Sequence, residues 1–153
     1  GEQRAKGPGN LIQLARAAGP ALAAGPDAKG DGYVERMRKI APDSPVTLAM
    51  LGDIATRQKQ PREALRYYDR AFERAPSGTL AINRYRAGVA AGVASPEAPL
   101  TDWLRRNPGD LLATVALGEH YQARGDHAAA IRQYEAGLKA SAQLARLLDK
   151  SAA

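Results

Sequence analysis

Cysteine is absent from all 153 residues, which removes disulfides, thiolate metal ligands and a Cys nucleophile together. The absence leaves the compartment open, because reducing and oxidising environments both tolerate it. Aromatics are scarce, with one Trp, one Phe and six Tyr. The alternation of apolar and polar residues that marks a half-buried strand is nearly missing. No apolar run approaches the roughly 18–20 residues that a membrane-crossing helix requires. An initiator Met and a signal-peptide pattern are also lacking; the chain opens on Gly1 and reads as a segment of a longer protein.

Catalytic fingerprints are missing as well. There is no phosphate-binding glycine loop, no GxSxG elbow and no dinucleotide motif. The stretch DAKGDGYVERMR (27–38) has the outline of a calcium loop, with Asp27, Asp31 and Gly32 in place. Lys29 and Arg38, however, occupy positions that require oxygen ligands. His120 and His127 are the only histidines, and no paired carboxylates accompany them at ligand spacing. Glu119 beside His120 imitates an acid–base pair, but adjacent helical residues point about 100° apart. The expectation is no enzyme, no cofactor and no metal.

What is abundant is Ala, Arg and Leu, a helix-forming composition. Twenty-two basic side chains against 16 acidic ones give a net charge of +6. Such a balance suits an acidic partner, and equally an ordinary Arg-rich surface. Arg62, Arg66, Arg70 and Arg74 run at i+4 spacing along one helix, with Glu63, Asp69 and Glu73 interspersed. Opposite charges at i+3 compensate in part. The aromatic faces expected of a single-strand nucleic-acid surface are missing, so nucleic acid is the weaker reading.

Repetition is the main signal. Pro8, Pro42, Pro76 and Pro108 are spaced 34, 34 and 32 apart, and Ala142 lies another 34 on. REALRYYDRAFERAP (62–76) matches AAAIRQYEAGLKASA (128–142) at an offset of 66. Each clear unit reads as two amphipathic helices. Leu48, Leu51, Gly52 and Ala55 share one face of a first helix; Ala64, Leu65, Tyr68, Ala71 and Phe72 form the buried stripe of the second. The later unit repeats this with Leu117, Gly118 and Tyr121, then Ala130, Ile131, Tyr134, Gly137 and Leu138. Gly52, Ala64, Gly118 and Ala130 allow close approach of the two helices, to roughly 8–9 Å.

The middle copy, 77–108, is divergent. Leu80, Ile82, Tyr85 and Val89 keep an apolar face, but Arg86 stands where a small residue is expected. Ser95 is a candidate cap for its second helix, with Pro96 and Pro99 in the first turn. Trp103 replaces a small residue there and is expected in the core, holding the hairpin wider. Residues 1–41 read as a degenerate helical repeat with a mobile loop, AGPDAKGDG (24–32), and a first helix kinked at Pro20. Leu14, Ala17, Ala18, Ala21 and Gly25 face Val34, Met37 and Ile40 in that reading. Residues 143–153, with Leu144, Leu147 and Leu148, read as a separate capping helix. The division is 1–41, 42–76, 77–108, 109–142 and 143–153, as one continuous domain.

Leu51-Gly52, Ala55, Ala64, Tyr68, Ala71 and Pro76 resemble the tetratricopeptide (TPR) consensus, as do Leu117-Gly118, Tyr121, Gly125, Ala130 and Tyr134. The resemblance implies an all-α superhelix of stacked antiparallel hairpins, an α-α solenoid. It implies a non-catalytic scaffold whose first helices line a groove for a peptide or partner helix. In TPR register the groove residues are Val46, Ala49, Asp53, Thr56 and Arg57, then Leu80, Asn83, Ala87 and Ala90, then Leu112, Val115, Glu119 and Gln122. Asn83 has an amide able to donate and accept to a peptide backbone. The Lys and Asn of the carboxylate-clamping TPR subclass are replaced here by Ala49 and Asp53, and by Val115 and Glu119.

AFERAPS (71–77), LTDWLRRNPGD (100–110) and YQARGDHAAAIRQYE (121–135) look like TPR lipoproteins of bacterial exosortase (PEP-CTERM) systems. That likeness implies envelope protein sorting or exopolysaccharide export, a lipid-anchored parent and an envelope or periplasmic location; without it, a cytoplasmic one. Alternatives are a basic-surface binder of nucleic acid or another anionic partner, and a structural spacer within a longer solenoid. Exposed solenoid ends would favour self-association.

Overall fold

Proline, glycine and short polar side chains set where each helix begins and stops. A computed structural model describes residues 8–26 and 28–152. Among them are eight helices: α1 (Pro8–Ala23), α2 (Ala28–Ile40), α3 (Pro45–Arg57), α4 (Pro61–Arg74), α5 (Gly78–Ala91), α6 (Ala98–Arg106), α7 (Leu111–Ala123) and α8 (His127–Ala152). Pro45 and Pro61 open α3 and α4, where proline's missing N–H costs nothing. The Ser77 hydroxyl accepts from Leu80 N–H at 3.1 Å and starts α5. The Asp110 carboxylate does the same for α7, accepting from Ala113 N–H at 3.1 Å. Gly92 closes α5 in the left-handed region, at φ 71°. After α3 the equivalent turn uses Lys59, at φ 57°, where the turn after α7 has Gly125 at φ 79°.

Successive helices pair into hairpins, α1 with α2, α3 with α4, α5 with α6 and α7 with α8. The chain divides at Pro76–Ser77 into two compact units, one carrying α1–α4 and the other α5–α8. In the first unit Leu14, Ala18, Val34 and Met37 form a buried cluster, with Tyr33, Met50, Leu51 and Ile54 packed on it. In the second, Leu100, Leu104, Ala113, Ala116 and Leu117 are joined by Ile82, Tyr85, Trp103 and Tyr121.

The two regular hairpins share one packing device. A Cβ added at Gly52 would run into the Tyr68 ring, and one at Gly118 into the Tyr134 ring. Each ring therefore crosses the first helix at a point where only hydrogen fits. Gly137 receives the Thr114 side chain in the same manner on α8.

Several expectations are revised. The long loop over 24–32 shrinks to a turn at Gly25, φ 127°, and α2 already includes Gly30, Asp31 and Gly32. Gly30 is buried because the Leu22 side chain and backbone come within 3.0–3.1 Å of where its Cβ would be; it is a packing glycine, not a hinge. Asp27, the first residue of the rejected calcium-loop outline, lies outside the described residues. α1 runs through Pro20, which is exposed. Ser95 does not cap α6: its carbonyl accepts from Ala98 N–H in a turn, and the capping position is Glu97.

The separate closing helix is the continuation of α8, unbroken over 26 residues. Ala142 stands where the earlier units carry Pro76 and Pro108, so nothing interrupts the helix. Leu144 then lies over Gly109 at van der Waals distance, 3.6 Å from where a Cβ would sit. Ile131 and Leu138, expected in the core, are 56% and 64% exposed. α8 turns its small residues Ala130 and Gly137 inward, leaving those two on its uncovered side.

The α5–α6 hairpin is the irregular one. α6 has nine residues, so its shared surface with α5 is shorter than in the other pairs. Arg86 is exposed, and the close-packed small residues are Ala87 and Gly88 instead. Trp103 is half-buried, and its Nε1–H donates to Asp110 Oδ2 at 2.7 Å. Asp110 thus caps α7 with one oxygen and anchors α6 with the other.

Two stability outcomes follow from these contacts. Gly118→Ala overpacks against Tyr134; overpacking costs about 1–3 kcal/mol, offset only in part by the gain of up to ~1 kcal/mol in helix propensity. Urea titration will therefore show a lower midpoint with an unchanged slope. Asp110→Ala loses a cap worth about 1 kcal/mol and the Trp103 bond worth a similar amount. Its combined loss of roughly 2 kcal/mol is to be read by the same titration, with Trp fluorescence as the signal.

Candidate functional site

The first helix of a regular hairpin has three uses for its side chains: packing on its partner, packing on a neighbouring hairpin, and facing solvent. In α7 the last group contains Leu112 (75% exposed), Val115 (44%), Glu119 and Gln122. These are spaced i, i+3, i+7 and i+10 and share a face. In α3 the residues 66 positions earlier are Val46, Ala49, Asp53 and Thr56. Val46, Asp53 and Thr56 are exposed and Ala49 half-buried. Both units thus present apolar residues near the helix start and polar or acidic ones near its end. Isolated apolar residues on a surface are ordinary, but the same positions recurring in two units are not.

Tyrosines from the second helices reach these faces. Tyr68 packs its ring on Gly52 and donates its hydroxyl to Asp53 Oδ1 at 2.6 Å. Tyr134 packs on Gly118 and donates to Gln122 Oε1 at 2.9 Å. Asp53 is exposed as a residue, yet its carboxylate is tucked against the hairpin. Desolvation raises its pKa, and the Tyr68 hydrogen bond offsets that only in part. Burial likewise lifts the Tyr68 phenol well above its ordinary value, with the bond to Asp53 adding to the effect.

Arg57, one turn beyond Asp53, is held elsewhere. Its Nη2 donates to both oxygens of Asp31 on α2, at 2.6 and 2.8 Å. In the second unit, His120 is buried. Its Nδ1 lies 3.1 Å from the Tyr85 hydroxyl, and its Nε2 lies 3.5 Å from Glu97 Oε2. The carboxylate that imitates an acid–base pair with it is therefore Glu97, from the turn before α6, and not Glu119. Burial is the main cause that raises the Tyr85 pKa, with Glu119 and Glu97 adding repulsion.

Of the expected groove residues, Leu80 and Ala87 are withdrawn: they are 7% and 6% exposed. The cause is register, because α5 turns Leu80, Ala81, Ala87 and Gly88 inward and leaves Arg86 out. Asn83 is half-buried on that helix and Ala90 is exposed. The arginine ridge of α4 is exposed, and its partner is Asp43 in the turn between α2 and α3, which lies 2.9 Å from Arg70 and 4.0 Å from Arg74. Pairs so open to solvent contribute little. No group of three or more His, Asp or Glu gathers as a metal site among the described residues, and no described helix is long and apolar enough to cross a membrane.

The geometry is that of TPR-type hairpins, and comparison with solved structures agrees. The crystal structure of MamA, a TPR protein, superposes with a TM-score of 0.70 over 91% of this chain and 82% of its own, at 14% identity. The fold is all-α, a solenoid of antiparallel helix hairpins of TPR type. No protein-family model matches the sequence, and no curated protein does.

The Tyr68–Asp53 contact generates a pH signature. A raised folded-state pKa means that the native state keeps its proton longer than the unfolded chain. The stability Tyr68 supplies is therefore complete below the unfolded tyrosine value, about pH 10, and lost as pH rises above it. Thermal melts across the alkaline range will fall with pH, and Tyr68→Phe will flatten that fall.

Proposed function

We propose that the chain is a non-catalytic protein-interaction module that binds an extended peptide or partner helix on the exposed faces of its first helices. The observation that carries this reading is the recurrence of exposed Val46, half-buried Ala49 and exposed Asp53 on α3 as exposed Leu112, Val115 and Glu119 on α7. Apolar side chains left open at matching positions of the two regular hairpins are available contacts for a partner. Asn83 and Gln122 belong to the same reading as polar groups for a partner's register, whereas Arg57 is taken up by Asp31. Ile131 and Leu138, exposed on the uncovered side of α8, are the surface through which self-association would run. A role in bacterial envelope sorting or exopolysaccharide export rests on the wording of 71–77, 100–110 and 121–135 alone.

The competing reading places an anionic partner on the arginines of α4. Salt separates the two, since displaced counterions make phosphate binding fall steeply with ionic strength, whereas apolar contacts change little. Capture of partners on immobilised protein, at low and high salt, is to be run beside Leu112→Glu and Arg66→Glu. Leu112 is so exposed that its substitution leaves the fold intact. The expected outcome is a protein partner retained at high salt, undiminished by Arg66→Glu and weakened roughly tenfold or more by Leu112→Glu. Capture that disappears with salt and with Arg66→Glu, yet survives Leu112→Glu, overturns the proposal.

A further inference from the structure

The first unit holds a cavity of about 310 Å³ between α1 and α3, lined by Gly19, Leu22, Ala23, Met50, Asp53 and Arg57. That volume lies at the low end for ligand sites and suits one long side chain better than a whole small molecule. Leu22, Ala23 and Met50 make apolar walls. At the polar end stand Asp53 and Arg57, one helical turn apart on α3.

Two adjacent groups of opposite charge at i and i+4 would ordinarily pair. They do not pair here. The Arg57 guanidinium is engaged by both oxygens of Asp31 from α2, with Arg57 only 25% exposed. Asp53 is left with a single neutral donor, the Tyr68 hydroxyl on Oδ1. No protein group among the described residues donates to its other oxygen. Asp31 and Asp53 against Arg57 leave one negative charge at this end of the cavity. A partly desolvated carboxylate without a counter-charge is unfavourable unless a cation completes it.

We propose that this cavity receives a lysine or arginine side chain of the bound peptide, its aliphatic stem on Leu22, Ala23 and Met50 and its cation on the open oxygen of Asp53. Long basic side chains divide in this way between apolar walls and a polar tip. The inference rests on the peptide-binding reading above and assigns it a ligand class. The chain's net charge of +6 makes the local sign the informative feature: the long-range field disfavours a basic ligand, so selectivity must come from this carboxylate at short range. The rise of the Asp53 pKa by desolvation agrees with the same geometry.

The test begins with random short peptides displayed against the whole chain. The tightest binder is then synthesised with each Lys or Arg in turn replaced by norleucine, which keeps the stem and removes the charge. Fluorescence anisotropy measures each peptide against the parent protein and against Asp53→Asn, a variant that keeps an acceptor for Tyr68. One basic residue will lose at least about tenfold in affinity on replacement by norleucine. Asp53→Asn will lose a similar factor with the basic peptide and almost nothing with the norleucine one. Because the peptide substitution leaves the protein untouched, the result does not depend on the variant folding. Peptides that bind and lose affinity with Leu112→Glu, but tolerate norleucine throughout, overturn the basic-side-chain assignment and leave the peptide reading standing. The assignment also falls if Asp53→Asn weakens both peptides equally. Failure to select any peptide overturns both.

Discussion

A tyrosine ring laid across a glycine is the contact on which the regular hairpins depend. At Gly52 and Gly118 there is no room for a side chain, because the rings of Tyr68 and Tyr134 occupy it. The same contact links the interior to the surface. Each ring buries its apolar body between two helices, and its hydroxyl emerges on the first helix, at Asp53 in one hairpin and Gln122 in the other. Close packing therefore dictates which polar residues on the exposed face are held still. Where the device is missing, in α5 and α6, the hairpin is shorter, and Trp103 is anchored by the α7 cap Asp110 instead.

Electrostatics divides the surface by consequence more than by count. Asp43 holds Arg70 and approaches Arg74, so part of the basic ridge is answered within the first unit. What remains is a diffuse positive field, which affects encounter rates and salt dependence more than specificity. The local arrangement on α3 is of a different kind. Asp31 takes Arg57 out of reach of Asp53, and a carboxylate with an unused oxygen is left beside an apolar cavity.

The hairpins were legible because they are written locally. Proline spacing, the helical stripe of Leu48, Gly52 and Ala55, and the Gly–Tyr pairs all lie within one 34-residue period. The helix assignment over 45–74 and 111–138 needed nothing more. What stayed hidden depends on separation or on register. Asp31 and Arg57 are 26 residues apart, and the approach of Glu97 to His120 arises from a turn whose path no periodicity encodes. Leu80 and Ala87 were misplaced because the consensus register was extended through a copy in which Arg86 had already broken it. Glycines at 30 and 32 suggested a loop, although Gly30 is small so that Leu22 can approach. The offset of 66 carries Tyr68 onto Tyr134 but not their partners, because Tyr68 donates to Asp53 and Tyr134 donates to Gln122 and not to Glu119.

Amide chemical-shift mapping of the labelled protein, titrated with a display-selected peptide, tests the central claim most directly. The account predicts shifts concentrated on α3 around Val46–Arg57 and on α7 around Leu112–Gln122, with Arg62–Arg74 on α4 largely silent. Shifts confined to the α4 arginines, or spread evenly over the chain, would contradict the assignment of the first-helix faces as the binding surface.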